Sequence, residues 1–106
     1  LRASQWQSFG EIAELPYMPA VAPGWDASPR GADFGNKHPN KYPWSPVITG
    51  EHPDLFGEAI QRARAFRSKS AIDDPLILIA SLNEWSEGHY IEPDQRFGRG
   101  WLEAVQ

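Results

Sequence analysis

"PLILIASL" at residues 75–82 decides the fold class, because it has the length and apolar character of a buried strand. A run that is apolar at successive positions is typical of a parallel strand covered on both faces. The polar stretch "NEWSEG" follows at residues 83–88 and places Glu84 and Glu87 just beyond the strand. We therefore expect an α/β fold with its chemistry at the carboxyl end of this strand.

The rest of the chain alternates between helical and extended patterns. Residues 1–14 have apolar side chains at helix-like spacing, and residues 17–22 predict a short strand. Proline and glycine fill residues 27–50, which predicts a long loop. A helix is expected to begin near Pro53, and another within residues 96–106. The predicted order is helix, strand, loop, helix, strand, loop, helix.

The helix after Pro53 has one apolar face. Glu58 and Arg62 stand four residues apart on the opposite side, an orientation that favours a helical ion pair. Six apolar side chains recur at three-to-four-residue spacing and predict the buried face: Leu55, Phe56, Ala59, Ile60, Ala63 and Phe66.

This alternation predicts a parallel sheet built from right-handed crossovers. Two strands alone do not form a stable sheet of this kind. A (β/α)8 TIM-type barrel needs about 250 residues. We therefore expect residues 1–106 to be the C-terminal βα units, a fragment of a single (β/α)8 catalytic domain, with the missing N-terminal part of the barrel as its partner.

Composition narrows the class of function. The net charge of −4 argues against a nucleic-acid-binding surface, and the absence of cysteine excludes disulfides and cysteine-ligated zinc. No apolar run approaches the length of a membrane span, while the cellular compartment stays open. The ten prolines indicate long loops of defined shape. The five tryptophans supply flat apolar rings that can pack in a core or against a ligand.

Glu84 and Glu87 are the candidate catalytic residues. Enzymes that cleave glycosidic bonds commonly use two carboxyl groups, one as acid and the other as base or nucleophile. When two such groups lie close together, one of them tends to stay protonated near neutral pH. We expect both side chains to project into a water-accessible hollow lined by indole rings.

Residues around this pair can bind a sugar. Aromatic rings can cover the faces of a sugar ring, and amide or charged groups can bind its hydroxyls. The candidate substrate-binding residues are Trp25, Asp26, Arg30, Asn83, Trp85, His89, Tyr90 and Glu92.

Structural explanations of the same residues remain open. Glutamates after a strand also cap helices or pair with arginines, here Arg30, Arg96 or Arg99. In the structural explanation, Asp26 accepts a backbone hydrogen bond within its own turn. Trp85 then fills one end of the barrel.

The three histidines carry less information. His89 and the carboxylates match no known metal-binding spacing, so we expect no metal site and no cofactor. His52 lies where a helix N-cap is expected, His38 lies in a polar loop, and we expect both to be exposed to solvent.

"NEWSEGHYIEPDQRFGRGWLEAV" at residues 83–105 resembles the C-terminal signature of glycoside hydrolase family 99-like proteins. It is most similar to their bacterial group labelled WbsX-like glycosyltransferase, or family 71/99-like. "PGWDASPR" at residues 23–30 is similar to an upstream segment of that group. Together these segments cover about a third of the chain. Ser86 and the pair His89-Tyr90 depart from the mannosidase pattern toward the WbsX-like group.

The resemblance implies a (β/α)8 barrel acting on carbohydrate, with Glu84 and Glu87 as the catalytic pair. It further implies a retaining endo-α-mannosidase-like hydrolase on an α-linked glycan. In that mechanism Glu84 is the base on the substrate's own 2-hydroxyl, and Glu87 is the acid and later the base. The alternatives are a glycosyltransferase or polysaccharide-biosynthesis protein of the WbsX type, and a non-catalytic barrel that binds glycan through Trp25, Trp85 and Tyr90.

Overall fold

The computed structural model describes residues 4–12, 16–67, 73 and 75–106. In chain order, the elements are α1 (Ser4–Ile12), β1 (Ala20–Val21), a first 3-10 helix (Ser28–Phe34), α2 (Pro53–Arg67), β2 (Leu78–Ile79), β3 (Asn83–Glu84), a second 3-10 helix (Trp85–Glu87), β4 (His89–Tyr90) and α3 (Gly100–Glu103). None of the helices in these ranges is long and apolar enough to cross a membrane.

Strands β1 and β2 pair in parallel, as the helix–strand alternation predicts. Ala20 lies opposite Leu78, and Val21 lies opposite Ile79. Two backbone hydrogen bonds extend the pairing to the residues that flank the strands. Leu78 N donates to Pro19 O at 3.0 Å, and Ala80 N donates to Val21 O at 2.9 Å. Both strands are shorter than predicted. Pro19 lacks an N–H and so limits the ladder on the β1 side.

One face of α2 packs against this strand pair, and the predicted start at Pro53 is confirmed. The predicted Glu58–Arg62 ion pair forms at 3.5 Å on the exposed side. Leu55 is an exception in the predicted stripe, because it lies at the edge of the face and is exposed. The buried core residues are Trp6, Val21, Phe56, Ile60, Ala63, Ile91 and Trp101.

Within the described residues, strand β2 is covered on one face only, and burial of both faces stays a prediction. Ile77 and Ile79 pack against the core. The alternate side chains Leu76, Leu78 and Leu82 are 54%, 51% and 58% exposed. Successive side chains of a strand point to opposite faces. Ile77 and Ile79 therefore form the face of the strand that packs against the core.

The other predicted elements agree with the structure in part. Part of the first predicted helix lies outside the described residues, which exclude 1–3 and 13–15. They also exclude residues 68–72, which follow α2 in the sequence. The predicted loop 27–50 contains the first 3-10 helix. Residues 96–99 form a turn, so that α3 begins only at Gly100.

Two histidines behave largely as expected. His52 lies just before α2 and its Nδ1 accepts a hydrogen bond from Asp54 N at 3.3 Å, as an N-cap residue does. His38 is exposed in the loop, where its ring stacks on Trp44 with the centroids 5.4 Å apart.

Candidate active site

A tight antiparallel hairpin carries the acidic motif. Strands β3 and β4 pair with Glu84 opposite His89, and the second 3-10 helix joins them. Gly88 closes this helix in a left-handed conformation with φ 63°. Glu84 ends the first strand and Glu87 ends the 3-10 helix, so the two glutamates lie at the two ends of one short turn.

Arg30 brings the two carboxylates together. Its Nη2 lies 3.1 Å from Glu84 Oε2, and its Nε lies 3.4 Å from Glu87 Oε1. The Nε–H donates to Ser86 Oγ at 3.1 Å. The pairing with Arg30, left open as an alternative by the sequence, is thus confirmed. The Glu84 side chain nevertheless remains 45% exposed, against 19% for Glu87.

The guanidinium of Arg30 stays charged beside these groups. Desolvation acts to lower the pKa of Arg30, but Glu87, Tyr42 and Glu84 together raise it above its ordinary value. A permanent positive charge therefore lies between the two carboxylates, and it offsets the repulsion that two neighbouring anions would otherwise feel.

The loop after β1 approaches the acidic turn at backbone distance. Asp26 N donates to Glu87 O at 2.8 Å, which ties Glu87 to the loop that also carries Arg30. A Cβ on Gly88 would lie 2.8 Å from Asp26 N, and one on Gly24 would lie 2.8 Å from Gly88 O. Both glycines are required for this approach, because the opposing atoms belong to backbone and cannot turn aside.

Replacing Gly88 by alanine is expected to destabilise the protein by about 1–3 kcal/mol and to separate Glu87 from Arg30. Two effects act together, since the new Cβ would be strained at positive φ and would overlap Asp26. Gly98→Ala is the matched control, because Gly98 also has a positive φ but has open space around it. Thermal unfolding of both variants measures the difference, and equal losses would contradict a role for the close approach.

His89 is buried beneath Glu87 and is held on both ring nitrogens. It is only 8% exposed. Nε2 lies 2.9 Å from Glu87 Oε2, and Nδ1 lies 2.8 Å from Ser81 Oγ. Trp25 covers the ring, with the centroids 5.2 Å apart and the planes at 21°. Both ring nitrogens of His89 thus face protein groups, and its contact with a substrate stays a prediction.

Trp85 and Tyr90 form a stacked aromatic pair on the other side of the turn. Their ring centroids lie 3.7 Å apart with the planes at 14°. Trp85 Nε1 donates to Glu92 Oε2 at 2.6 Å, so Glu92 orients the indole. Trp85 is still 46% exposed. It therefore presents flat apolar surface to solvent beside Glu84 in the described part of the chain.

Asp94 holds the segment that follows this pair. Its carboxylate accepts hydrogen bonds from Tyr90 OH at 3.1 Å, from Trp101 Nε1 at 2.9 Å and from Phe97 N. Burial acts to raise the pKa of Asp94, but the bonds from Phe97, Trp101 and Tyr90 outweigh it and lower the pKa. Burial and the bond to Asp94 raise the pKa of Tyr90. Asp94 thus links the aromatic pair to α3.

Asp94→Asn is expected to cost about 1–3 kcal/mol of unfolding free energy at pH 7. The folded-state pKa of Asp94 is lowered, so the ionised group stabilises the fold above its unfolded pKa of about 3.9. That contribution is lost as the pH falls through the folded-state pKa. Denaturant unfolding at pH 7 and below pH 3 should show the gap between wild type and variant shrinking. Asp33→Asn, at an exposed position, is the control, and a pH-independent gap would refute the assignment.

A cavity of about 420 Å³ lies next to the acidic turn, within the size range of ligand pockets. Asp26 and Gly88 form part of its wall, and the ion pair of Arg96 with Glu51, at 2.9 Å, lies at its edge. Its aromatic lining comes from Trp25, Tyr90, Phe97 and Trp101. Glu84 and Glu87 do not line this cavity, so it is not the hollow that the sequence predicts around the carboxylate pair.

The remaining sequence predictions can be placed on this geometry. Asp26 serves as a local acceptor, since its Oδ1 takes a hydrogen bond from Ser28 N at 2.9 Å, and it also lines the cavity. Asn83 is exposed opposite Tyr90. The structure adds residues that sequence reasoning did not assign to the site: Glu51, Ser81, Ser86, Asp94, Arg96, Phe97 and Trp101.

A carboxylate pair beside stacked aromatic rings is typical of proteins that act on carbohydrate. Comparison with known families agrees with this class. The chain belongs to the family described as Glycosyltransferase WbsX, which matches residues 4–105. The family is carbohydrate-related, of the polysaccharide-biosynthesis type.

Two similar proteins from Xanthomonas campestris pv. campestris strains bear the name "Uncharacterized protein WxcX". Each is 33% identical over 95 residues, which cover 90% of this chain and 12% of the relative. The chain thus spans about an eighth of the length of these relatives. No solved structure matches the chain.

Proposed function

We propose that the protein is a retaining glycoside hydrolase that cleaves an α-linked glycan with Glu84 and Glu87. The observation that carries this proposal is the contact of both carboxylates with the single guanidinium of Arg30, at 3.1 and 3.4 Å. This contact holds the two acidic groups around one side chain, with Glu84 45% and Glu87 19% exposed. The half-exposed indole of Trp85 lies beside them and supports the binding of a sugar face.

The proposed reaction uses the two glutamates in different roles. Glu84, the more exposed, removes the proton from the substrate's own 2-hydroxyl, and that oxygen attacks the anomeric carbon. Glu87 donates its proton to the departing glycosidic oxygen, so that the bond breaks and an anhydro-sugar forms. Glu87 then takes a proton from water as the water oxygen attacks the anomeric carbon, and Glu84 returns its proton to the departing 2-oxygen, so that the anhydro-sugar opens with overall retention. The cavity edged by Glu51 and Arg96 would bind a neighbouring part of the glycan.

We further propose that the chain forms the last βα units of a (β/α)8 barrel. Parallel pairing of β1 with β2 across α2 supports this architecture. The apolar face of β2 at Leu76 and Leu78 also supports it, because the strand face turned away from the helices points into the barrel. The acidic turn and the Arg30 loop both follow strand carboxyl ends, where barrel enzymes place their active sites.

A glycosyltransferase is the second candidate, favoured by the description of the family. The test is to incubate the intact protein with an α-linked mannose oligosaccharide, with and without an activated sugar donor, and to identify products by mass spectrometry. Hydrolysis without donor is the expected result. Product formation only with donor would establish the transferase, and saturable binding without any product would establish a glycan-binding protein.

A further inference from the structure

We propose that His89 is a positioning residue, anchored by Ser81, that places the transferable proton of Glu87 on its Oε1 oxygen. This inference rests on the proposed role of Glu87 as proton donor. It assigns to His89 a function different from the substrate contact that the sequence suggests.

The hydrogen-bond chemistry of the ring fixes its orientation. While Glu87 is ionised its carboxylate only accepts hydrogen bonds, so Nε2, at 2.9 Å from Glu87 Oε2, carries a hydrogen; the proposal assigns the same tautomer to the protonated state of Glu87. In the neutral ring Nδ1 then accepts, and Ser81 Oγ at 2.8 Å is the donor. Burial of His89 and its stacking on Trp25 keep the ring in this plane.

Ser81 preserves this arrangement in both charge states of the ring. When His89 gains a second proton, Nδ1–H donates to Ser81 Oγ, and the hydroxyl instead donates to His89 O at 3.3 Å. Nε2–H therefore faces Glu87 whether the imidazole is neutral or charged. The hydroxyl is suited to this position because it both donates and accepts.

The consequence for Glu87 is a distinction between its two oxygens. Oε2 receives Nε2–H, so a proton on Glu87 must lie on Oε1. Arg30 Nε lies 3.4 Å from Oε1 but directs its hydrogen to Ser86 Oγ, at 3.1 Å. Among the residues that the structure describes, Arg30 is the charged group that contacts Glu87 beside His89, and Glu84 lies on the far side of Arg30. Asp26 contacts Glu87 through its backbone N–H. Transfer of the Oε1 proton to a glycosidic oxygen leaves the Glu87 carboxylate still held by His89.

The kinetic test compares two replacements of similar size. His89→Gln keeps an N–H donor for Glu87, whereas His89→Met removes it. We expect kcat to fall at least about tenfold more in the Met variant than in the Gln variant, with similar KM, because misplacement of a reacting group affects the chemical step. Equal kcat in the two variants would overturn the proposal, since loss of packing alone affects both.

The second test needs no substrate. Long-range ¹⁵N–¹H NMR of the intact wild type should show a hydrogen on Nε2 of His89 at neutral pH. Ser81→Ala, which keeps the ring and avoids a large change in the core, should shift the Nδ1 resonance, while Ser81→Thr should not. A neutral ring protonated only on Nδ1 would overturn the proposal. If the wild type cleaves no glycan but shows the Nε2 hydrogen, the proposed function fails and the ring assignment stands.

Discussion

Glu84→Gln and Glu87→Gln are each expected to lower kcat about 1,000-fold on an α-linked mannose oligosaccharide. Glutamine keeps the size of the side chain but cannot exchange a proton, so both proposed proton transfers are lost. Glutamine also keeps an oxygen that accepts hydrogen bonds, so the fold should be retained. Steady-state kinetics, with thermal unfolding as a check, measure the effect. Glu58→Gln on the exposed face of α2 is the matched control.

The leaving group should distinguish the two roles. An activated aryl glycoside needs little protonation as it departs, so it should restore bond cleavage in the Glu87 variant. It should not restore cleavage in the Glu84 variant, because attack by the 2-hydroxyl still needs its base. Recovery in both variants or in neither would contradict the assignment of acid to Glu87 and base to Glu84.

Arg30→Met is expected to lower kcat by about 100-fold with a small change in KM. The substitution removes the charge that contacts both carboxylates and the hydrogen bond to Ser86. Without this shared contact the two glutamates would lose their relative position. Arg30→Lys should be intermediate, because an ammonium keeps the charge without the planar set of donors. Steady-state kinetics on the same glycan would measure both variants.

The separate effects of the substitution on kcat and on KM test the role of Arg30. A group that positions catalytic residues acts on the chemical step, whereas one that binds substrate equally in ground and transition states acts on KM. An increase in KM with unchanged kcat would show that Arg30 binds the glycan directly, as the sequence suggested, and would contradict the positioning role.

Local patterns predicted the elements that depend on local interactions. Helix α2 begins at Pro53 because proline suits a first turn, and its apolar stripe is strong enough to define the buried face. The burial of β2 was not predictable in the same way. "LILIA" is equally apolar at odd and even positions, so the sequence does not show which face the helices cover.

The site shows the same division between local and distant contacts. The sequence predicted two neighbouring carboxylates just beyond the strand, and the structure places them at the two ends of one turn. The contact of Arg30 with Glu84 joins residues 54 positions apart, and the sequence offered three arginines as partners. His89 looked like a surface ligand-binding residue, yet a serine eight positions earlier and Trp25 hold it in the interior. No feature of the sequence near Ser81 indicates this contact.

The most direct test of the account is a crystal structure of the intact Glu87→Gln variant with an α-linked mannose oligosaccharide bound. The account predicts a glycosidic oxygen within hydrogen-bond distance of residue 87, the 2-hydroxyl of the same sugar facing Glu84, and a sugar face against Trp85. An oligosaccharide bound elsewhere on the protein, with both residues still closed on Arg30 and no sugar beside them, would contradict it.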